Sequence, residues 1–183
     1  ILISYLGRRR SSDRLEYVHR VRRVGAFLRK YGFDVLIALA AIDMALEVAI
    51  RYGAPTGPTT PRWFAVPATA LIVLPLLARR RFPFAAPAAV WVLAAVLSFV
   101  DGRLVGFTTT ASIAGLVAAF LLGKLPDRTQ ARVGRVVVLG GAAILMYNNP
   151  THTTGELVIV PAMFLLAMGA GIDSRRLLVD PGF

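Results

Sequence analysis

The chain is 183 residues long, 56% hydrophobic and only 17% charged, with a mean hydropathy of +0.65. A soluble domain carries about 45–50% apolar and about 25% charged residues, so both departures point to lipid as the solvent and exclude a disordered chain. The absence of cysteine excludes disulfides and thiolate metal sites, and the net charge of +11 does not mark a nucleic-acid binder, because the basic residues fall between apolar runs.

Residues 1–30 hold nine Lys and Arg. Tyr17, Val21, Val24 and Leu28 recur there at spacings of four, three and four, with arginines between them. Two readings stand open: a basic amphipathic helix lying on an anionic inner leaflet, or a solvated tail. The chain opens on Ile1 and not methionine, which reads as a fragment or an unusual translation. Arginine outnumbers lysine 19 to 2, in keeping with the codon bias of a high-GC bacterial genome.

Six apolar runs follow, near residues 32–50, 63–78, 82–100, 105–123, 133–147 and 156–172. A spanning helix needs roughly 20 apolar residues to cross about 30 Å of hydrocarbon. The second and fifth runs are short by that measure, and flanking arginines can snorkel to compensate. The sequence therefore predicts an all-α polytopic membrane protein, a bundle of six transmembrane helices. It divides into the basic segment 1–30, the membrane domain 31–176 and a short tail 177–183. Between the first two runs, Pro55, Pro58 and Pro61 with Gly53 and Gly57 make a loop that cannot be helical. Trp63 and Phe64 then fall where an interfacial aromatic belt would place them. Asn148-Asn149-Pro150 ends the fifth helix, and Thr153 or Thr154 caps the sixth ahead of Glu156.

Positive segments translocate poorly, so cytoplasmic loops hold the Lys and Arg. Alternate segments of this chain hold eighteen basic residues against three. Arg79, Arg80 and Arg81 mark one inner loop, and Lys124, Arg128 and Arg132 another. Both termini are expected in the cytoplasm, with the protein multi-pass in a bacterial inner (cytoplasmic) membrane. The lipid bilayer is its first partner.

No catalytic motif, cofactor fingerprint or metal-ligand pattern is present: no phosphate-binding loop, no H-E-x-x-H and no G-x-S-x-G. His19 reads as a surface residue of the basic tail. His152, in the last outer loop, can titrate between pH 5 and 8 or serve simply as a polar loop residue. Asp34, Asp43 and Glu47 all fall in the first helix, and ionisable groups in spans are functional candidates by default. Asp34 lies near the cytoplasmic boundary, within reach of Arg29 or Lys30. Glu47 has Arg51 as its i+4 partner. Asp43 is the deepest, open to a sensing or proton-handling role or to interhelical polar packing. Small-residue pairs, Gly115 with Ala119 and Ala167 with Gly171, permit close helix approach, but in an alanine-rich chain they locate no interface.

One stretch carries a resemblance. Leu74-Pro75-Leu76-Leu77-Ala78-Arg79-Arg80-Arg81-Phe82-Pro83-Phe84 resembles the hinge between the second and third helices in the six-pass N-terminal membrane domain of actinobacterial two-component sensor histidine kinases. Phe99 to Val105 is similar to that domain's outer turn between helices three and four. Leu116 to Gly123 with Asp127 to Arg132 resembles its fourth helix and inner loop. Tyr147 to His152 and Glu156 to Pro161 resemble its last outer loop and sixth helix. The likeness covers about residues 31–176. It implies a homodimeric membrane input module whose sixth helix leads into a cytoplasmic helix, a phosphoacceptor domain and an ATP-binding domain. No catalytic residue of that family maps onto this stretch, and no histidine follows Arg176. The tail departs from the pattern, because Pro181-Gly182 would stop a helix. The expectation is thus an input domain without its kinase half, and not itself an enzyme. A second reading is a small six-pass transporter or permease subunit in which Asp43 and Glu47 handle protons. Residues 31–100 and 105–172 show no convincing internal repeat, which that reading would favour. A third is a structural membrane protein partnering another subunit.

Overall fold

The structure, a computed structural model, describes residues 31–179 except positions 56, 107 and 151, and of residues 175–179 the backbone alone. The basic segment 1–30, with its expected amphipathic helix and His19, and the turn at Pro181-Gly182 lie outside the described residues. The chain divides into two units, Ile1–Leu36 and Ile37–Phe183, and the helical bundle is the second.

Every regular element among the described residues is helical. Helix α1 covers residues 31–50, its bundle portion beginning at Ile37. Helix α2 is Arg62–Val73, running on as a 3-10 segment, Leu74–Arg80. Then come α3 (Ala85–Val100), the short α4 (Gly102–Gly106), α5 (Thr109–Gly123), α6 (Arg128–Asn148) and α7 (Glu156–Val179). Each of the six apolar runs therefore folds as helix. Pro75 lacks the N–H that an α-helix would use to bond the carbonyl four residues back, and α2 tightens to 3-10 geometry at that point. Asp127 starts α6, its side chain accepting the Thr129 N–H at 2.8 Å. At the start of α7, the Gly155 carbonyl accepts the Ile159 N–H at 3.0 Å, so Gly155 holds the cap position and not Thr153 or Thr154 as the sequence suggested; the Glu156 carboxylate reaches back to the Thr153 N–H at 3.2 Å. Asn148 closes α6 as expected.

Run lengths are where the sequence misleads. Among the described residues, Arg62–Arg80, Arg128–Asn148 and Glu156–Ser174 are the three helices long and apolar enough to cross a membrane. The second and fifth runs are thus full length, because Arg128 and Arg132 at the start of α6 and Arg79-Arg80 after α2 stay helical. The third and fourth are the short ones, at 16 and 15 residues. A turn around Pro83 delays α3 to Ala85, and the fourth run breaks after Gly106 into α4 and α5.

Packing contacts fix the helix directions. Ser98 of α3 bonds Asn148 of α6, and Trp91 of α3 lies on Gly141 of α6, so these two run parallel. Gly115 meets Phe164, and Gly123 and Gly171 meet Met168 and Phe120 further along, so α5 and α7 run parallel to each other. Gly134 of α6 lies on Leu122 of α5, which makes the two pairs antiparallel. One end of the bundle therefore gathers the 51–61 loop, α4 and the 149–155 loop. The other gathers the short turns 81–84 and 124–127 with Arg79, Arg80, Arg81, Lys124, Arg128 and Arg132.

The core is small and apolar: Met44, Val48, Ile72, Leu76, Leu104, Leu122, Val138 and Met168 are buried. The perimeter is apolar too. Ile50 is 79% exposed, Val136 and Val158 are 71%, and Leu166 is 74%. Exposed apolar surface on this scale needs hydrocarbon or another apolar partner around it.

Helices α5 and α7 touch backbone to backbone. A Cβ on Gly123 would collide with the Met168 carbonyl oxygen, and one on Gly171 with that of Phe120. The Ala167–Gly171 pair thus does mark an interface, within the chain, contrary to the expectation that such pairs locate none. Gly123→Ala should lower thermal stability in detergent by about 1–3 kcal/mol, the usual cost of overpacking. Gly140→Ala, where nothing lies within 4 Å, should be neutral or stabilising by up to about 1 kcal/mol through helix propensity. Equal behaviour of the two variants would contradict the close approach.

Candidate functional site

At the α4 end, one carboxylate joins two segments far apart in sequence. Thr59 and Thr60 lie in no helix, and Pro61 holds the residue before it extended, so their N–H groups need partners from elsewhere. Asp101 supplies them. Its Oδ2 accepts the backbone N–H of Thr59 at 2.6 Å and of Thr60 at 3.0 Å, and their hydroxyls at 3.1 and 3.2 Å. Its Oδ1 accepts the Arg103 N–H at 3.0 Å, which is the capping bond of α4. Arg103 in turn reaches the Pro55 carbonyl at 3.4 Å, and the Tyr52 hydroxyl donates to the Thr60 carbonyl at 3.0 Å. Asp101 is only 6% exposed. Burial works to raise its pKa, but the N–H groups of Thr60, Arg103 and Thr59 and the Thr59 hydroxyl outweigh it, leaving the pKa below the ordinary aspartate value.

Next to this knot, buried Ser98 donates to the Ala95 carbonyl at 2.7 Å and accepts from the Asn148 amide at 2.9 Å. Gly102 sits directly on the Asn148 carbonyl, leaving no room for a Cβ. Helix α4 is therefore held from both sides, by Asp101 at its cap and by the end of α6.

Beneath α4 lies a cavity of about 70 Å³. Its walls come from α3, α4, α5, α6 and α7, with Ile72 of α2. Trp91 forms one wall, packed edge-on to Phe164 at 4.6 Å between ring centroids and 89°. Among the described residues, two buried side-chain polar atoms lack a protein partner: Trp91 Nε1 and Thr108 Oγ1.

The residues singled out from sequence are not brought together. Asp43, exposed on α1, accepts a 2.5 Å hydrogen bond from the Thr110 hydroxyl of α5, a polar tie between helices. Glu47 pairs with Arg51 at 2.7 Å, as the i+4 spacing predicts. His152 is exposed, its Nδ1–H donating to the Asn149 carbonyl at 2.5 Å. None of the three lines the cavity. Among the described residues no cluster of His, Asp and Glu could hold a metal ion. Sequence reasoning passed over Asp101 and Trp91. The signals were there: an aspartate just ahead of a glycine at a helix start, and a tryptophan alone in an alanine-rich run.

A carboxylate with a depressed folded pKa adds stability that is complete above its unfolded value, about 3.9, and fades as pH falls through the folded pKa. Asp101→Asn should cost about 1–3 kcal/mol at neutral pH by stranding buried donors. The gap in thermal stability between wild type and variant should close as the pH drops below about 4. A gap that stays constant down to pH 2 would show that the charge of Asp101 contributes nothing. Compared with protein-family models, with curated proteins and with solved structures, the chain matches none, so its function is argued from its own residues.

Proposed function

We propose that this chain is the membrane-embedded input domain of a two-component sensor histidine kinase: a six-pass, homodimeric unit of a bacterial inner membrane with both ends in the cytoplasm. The phosphoacceptor and ATP-binding parts are not among these 183 residues. Three helices already have the length and composition of membrane spans. Helices α3 and α5 reach about 24 and about 22 Å at 1.5 Å per residue, and local bilayer thinning with snorkelling arginines accommodates spans of that size. Glu47 and Asp43 of α1 are each engaged by a partner, which supports α1 as the remaining span. The ordered resemblance of residues 31–176 to the kinase membrane domain adds to this reading.

The observation that carries the output role is α7. It passes the Gly123–Gly171 crossing at the arginine-rich end and continues without a break to Val179. The helix expected at 156–172 is thus two turns longer, and a continuous helical rod can transmit rotation or translation to whatever it joins. A stimulus need only favour one of two packings of that helix by a few kcal/mol.

The test is a set of fusions in lipid nanodiscs, each joining a histidine-kinase catalytic core to Arg176 by a continuous helix. Inserting one to seven residues at the junction turns the core by about 100° per residue. Autophosphorylation should rise and fall at least several-fold with the insert and return at seven. Activity indifferent to helical phase would contradict an output role for α7.

A further inference from the structure

The indole of Trp91 is held in a slot between glycines. On the ring edge bearing Cε3, the space is closed by Gly141, where even a Cβ would come within 2.9 Å of the ring. On the opposite edge, Cζ2 faces Gly115 of α5, 3.5 Å from where its Cβ would be. Indole chemistry places Nε1 on that same edge, one atom beyond Cζ2 through Cε2. Nε1 thus lies on the ring edge that faces Gly115, a residue that lines the cavity together with Ala111 and Ser112. Phe164, edge-on, fixes the ring from a third direction, so the indole cannot turn to seek another acceptor. Trp91 is 2% exposed, and its Nε1 has no protein partner. A buried donor without an acceptor has given up its hydration for nothing. Trp N–H groups usually find an acceptor when buried.

We propose that the cavity binds a small, largely apolar molecule with a single hydrogen-bond acceptor, a carbonyl or ether oxygen, which accepts from Trp91 Nε1–H. Size sets the upper limit. A cavity of about 150 Å³ admits benzene, so 70 Å³ holds roughly three or four non-hydrogen atoms. Composition sets the class. No charged side chain lines the cavity, which excludes ions, since an unpaired charge there would be unsolvated. Apart from Trp91, the polar side chains of the lining are Ser112 and Asn149, while Ile72, Val90, Ala142, Val160 and Phe164 present hydrocarbon, so the lining favours a mostly apolar molecule over water, which needs two to four polar partners. A solute would enter beside Ser112 and Gly106, lining residues that are themselves exposed. The site depends on the cavity and its indole and not on any kinase joined to α7.

Trp63 is 78% exposed and is the other tryptophan of the chain. In a Trp63→Phe protein labelled with ¹⁵N-tryptophan in nanodiscs, Trp91 gives the sole indole N–H signal. Acetone and isobutene have the same shape, with oxygen in one and CH₂ in the other. Titrated acetone should move the Trp91 indole proton downfield with saturation, and isobutene should not. Gly115→Ala, which places a methyl 3.1 Å from Phe164, should weaken the acetone response at least tenfold. If that variant does not fold, the acetone–isobutene comparison on the Trp63→Phe protein decides alone. A response that climbs linearly without saturating, an equal response to both solutes, or none at all with the indole proton exchanging rapidly into D₂O as for a water-filled space, would each overturn the proposal.

Discussion

An apolar perimeter leaves charges only two places to go, and the rest of this structure follows from that constraint. With side chains such as Ile50, Val136 and Leu166 facing outward, a charged group on the flank would be surrounded by hydrocarbon, at a cost of several kcal/mol. The chain instead sorts its cations to the helix ends. Among the described residues, Arg79, Arg80, Arg81, Lys124, Arg128, Arg132 and Arg135 stand at one end, and only Arg51, Arg62 and Arg103 at the other. The carboxylates that remain on α1 past Ile37 have neighbours within bonding distance: Thr110 for Asp43 and Arg51 for Glu47.

The poorer end in cations is the richer in architecture. A single buried carboxylate, Asp101, gathers the donors of Thr59, Thr60 and Arg103 and so anchors the proline-rich loop, caps α4 and sets α4 down on the end of α6. Gly102 and Gly106 of α4 roof the cavity, and Trp91 forms its wall. Loop, cap, roof and indole are thus mechanically continuous. A solute beneath α4 would press on Phe164 and hence on α7, the helix that continues to Val179.

Much of the fold was legible in the sequence because hydropathy and punctuation are local. The six apolar runs, the Pro55–Pro61 loop, the stop at Asn148 and the Glu47–Arg51 pair all rest on neighbours within a few residues, and the structure contains each of them. Helix lengths were less legible. Whether Arg128 or Arg80 stays helical depends on where the bundle ends, not on its own hydropathy. The candidate site was the least legible part. Asp101 bonds residues 41 and 42 positions away, and Trp91 is placed by Gly115 and Gly141 from two other helices. Nothing within a window of the sequence announces either contact. Asp43 drew attention for its charge, yet its partner Thr110 is 67 positions distant, and only the fold shows it as an interhelical tie.

The proposed signal route requires the bundle to stand upright in a membrane with its arginine-rich end in the cytoplasm. Exposed Thr153, beyond α6, and exposed Thr129, at the start of α6, lie at opposite ends. The direct measurement is the reaction of single cysteines at these two positions with a membrane-impermeant thiol reagent on intact cells, which a chain without native cysteine permits on an unlabelled background. Thr153→Cys should react from outside, and Thr129→Cys should react only once the cells are opened. Labelling of position 129 on intact cells, or protection of position 153, would contradict the orientation and with it the route proposed for a signal through α7.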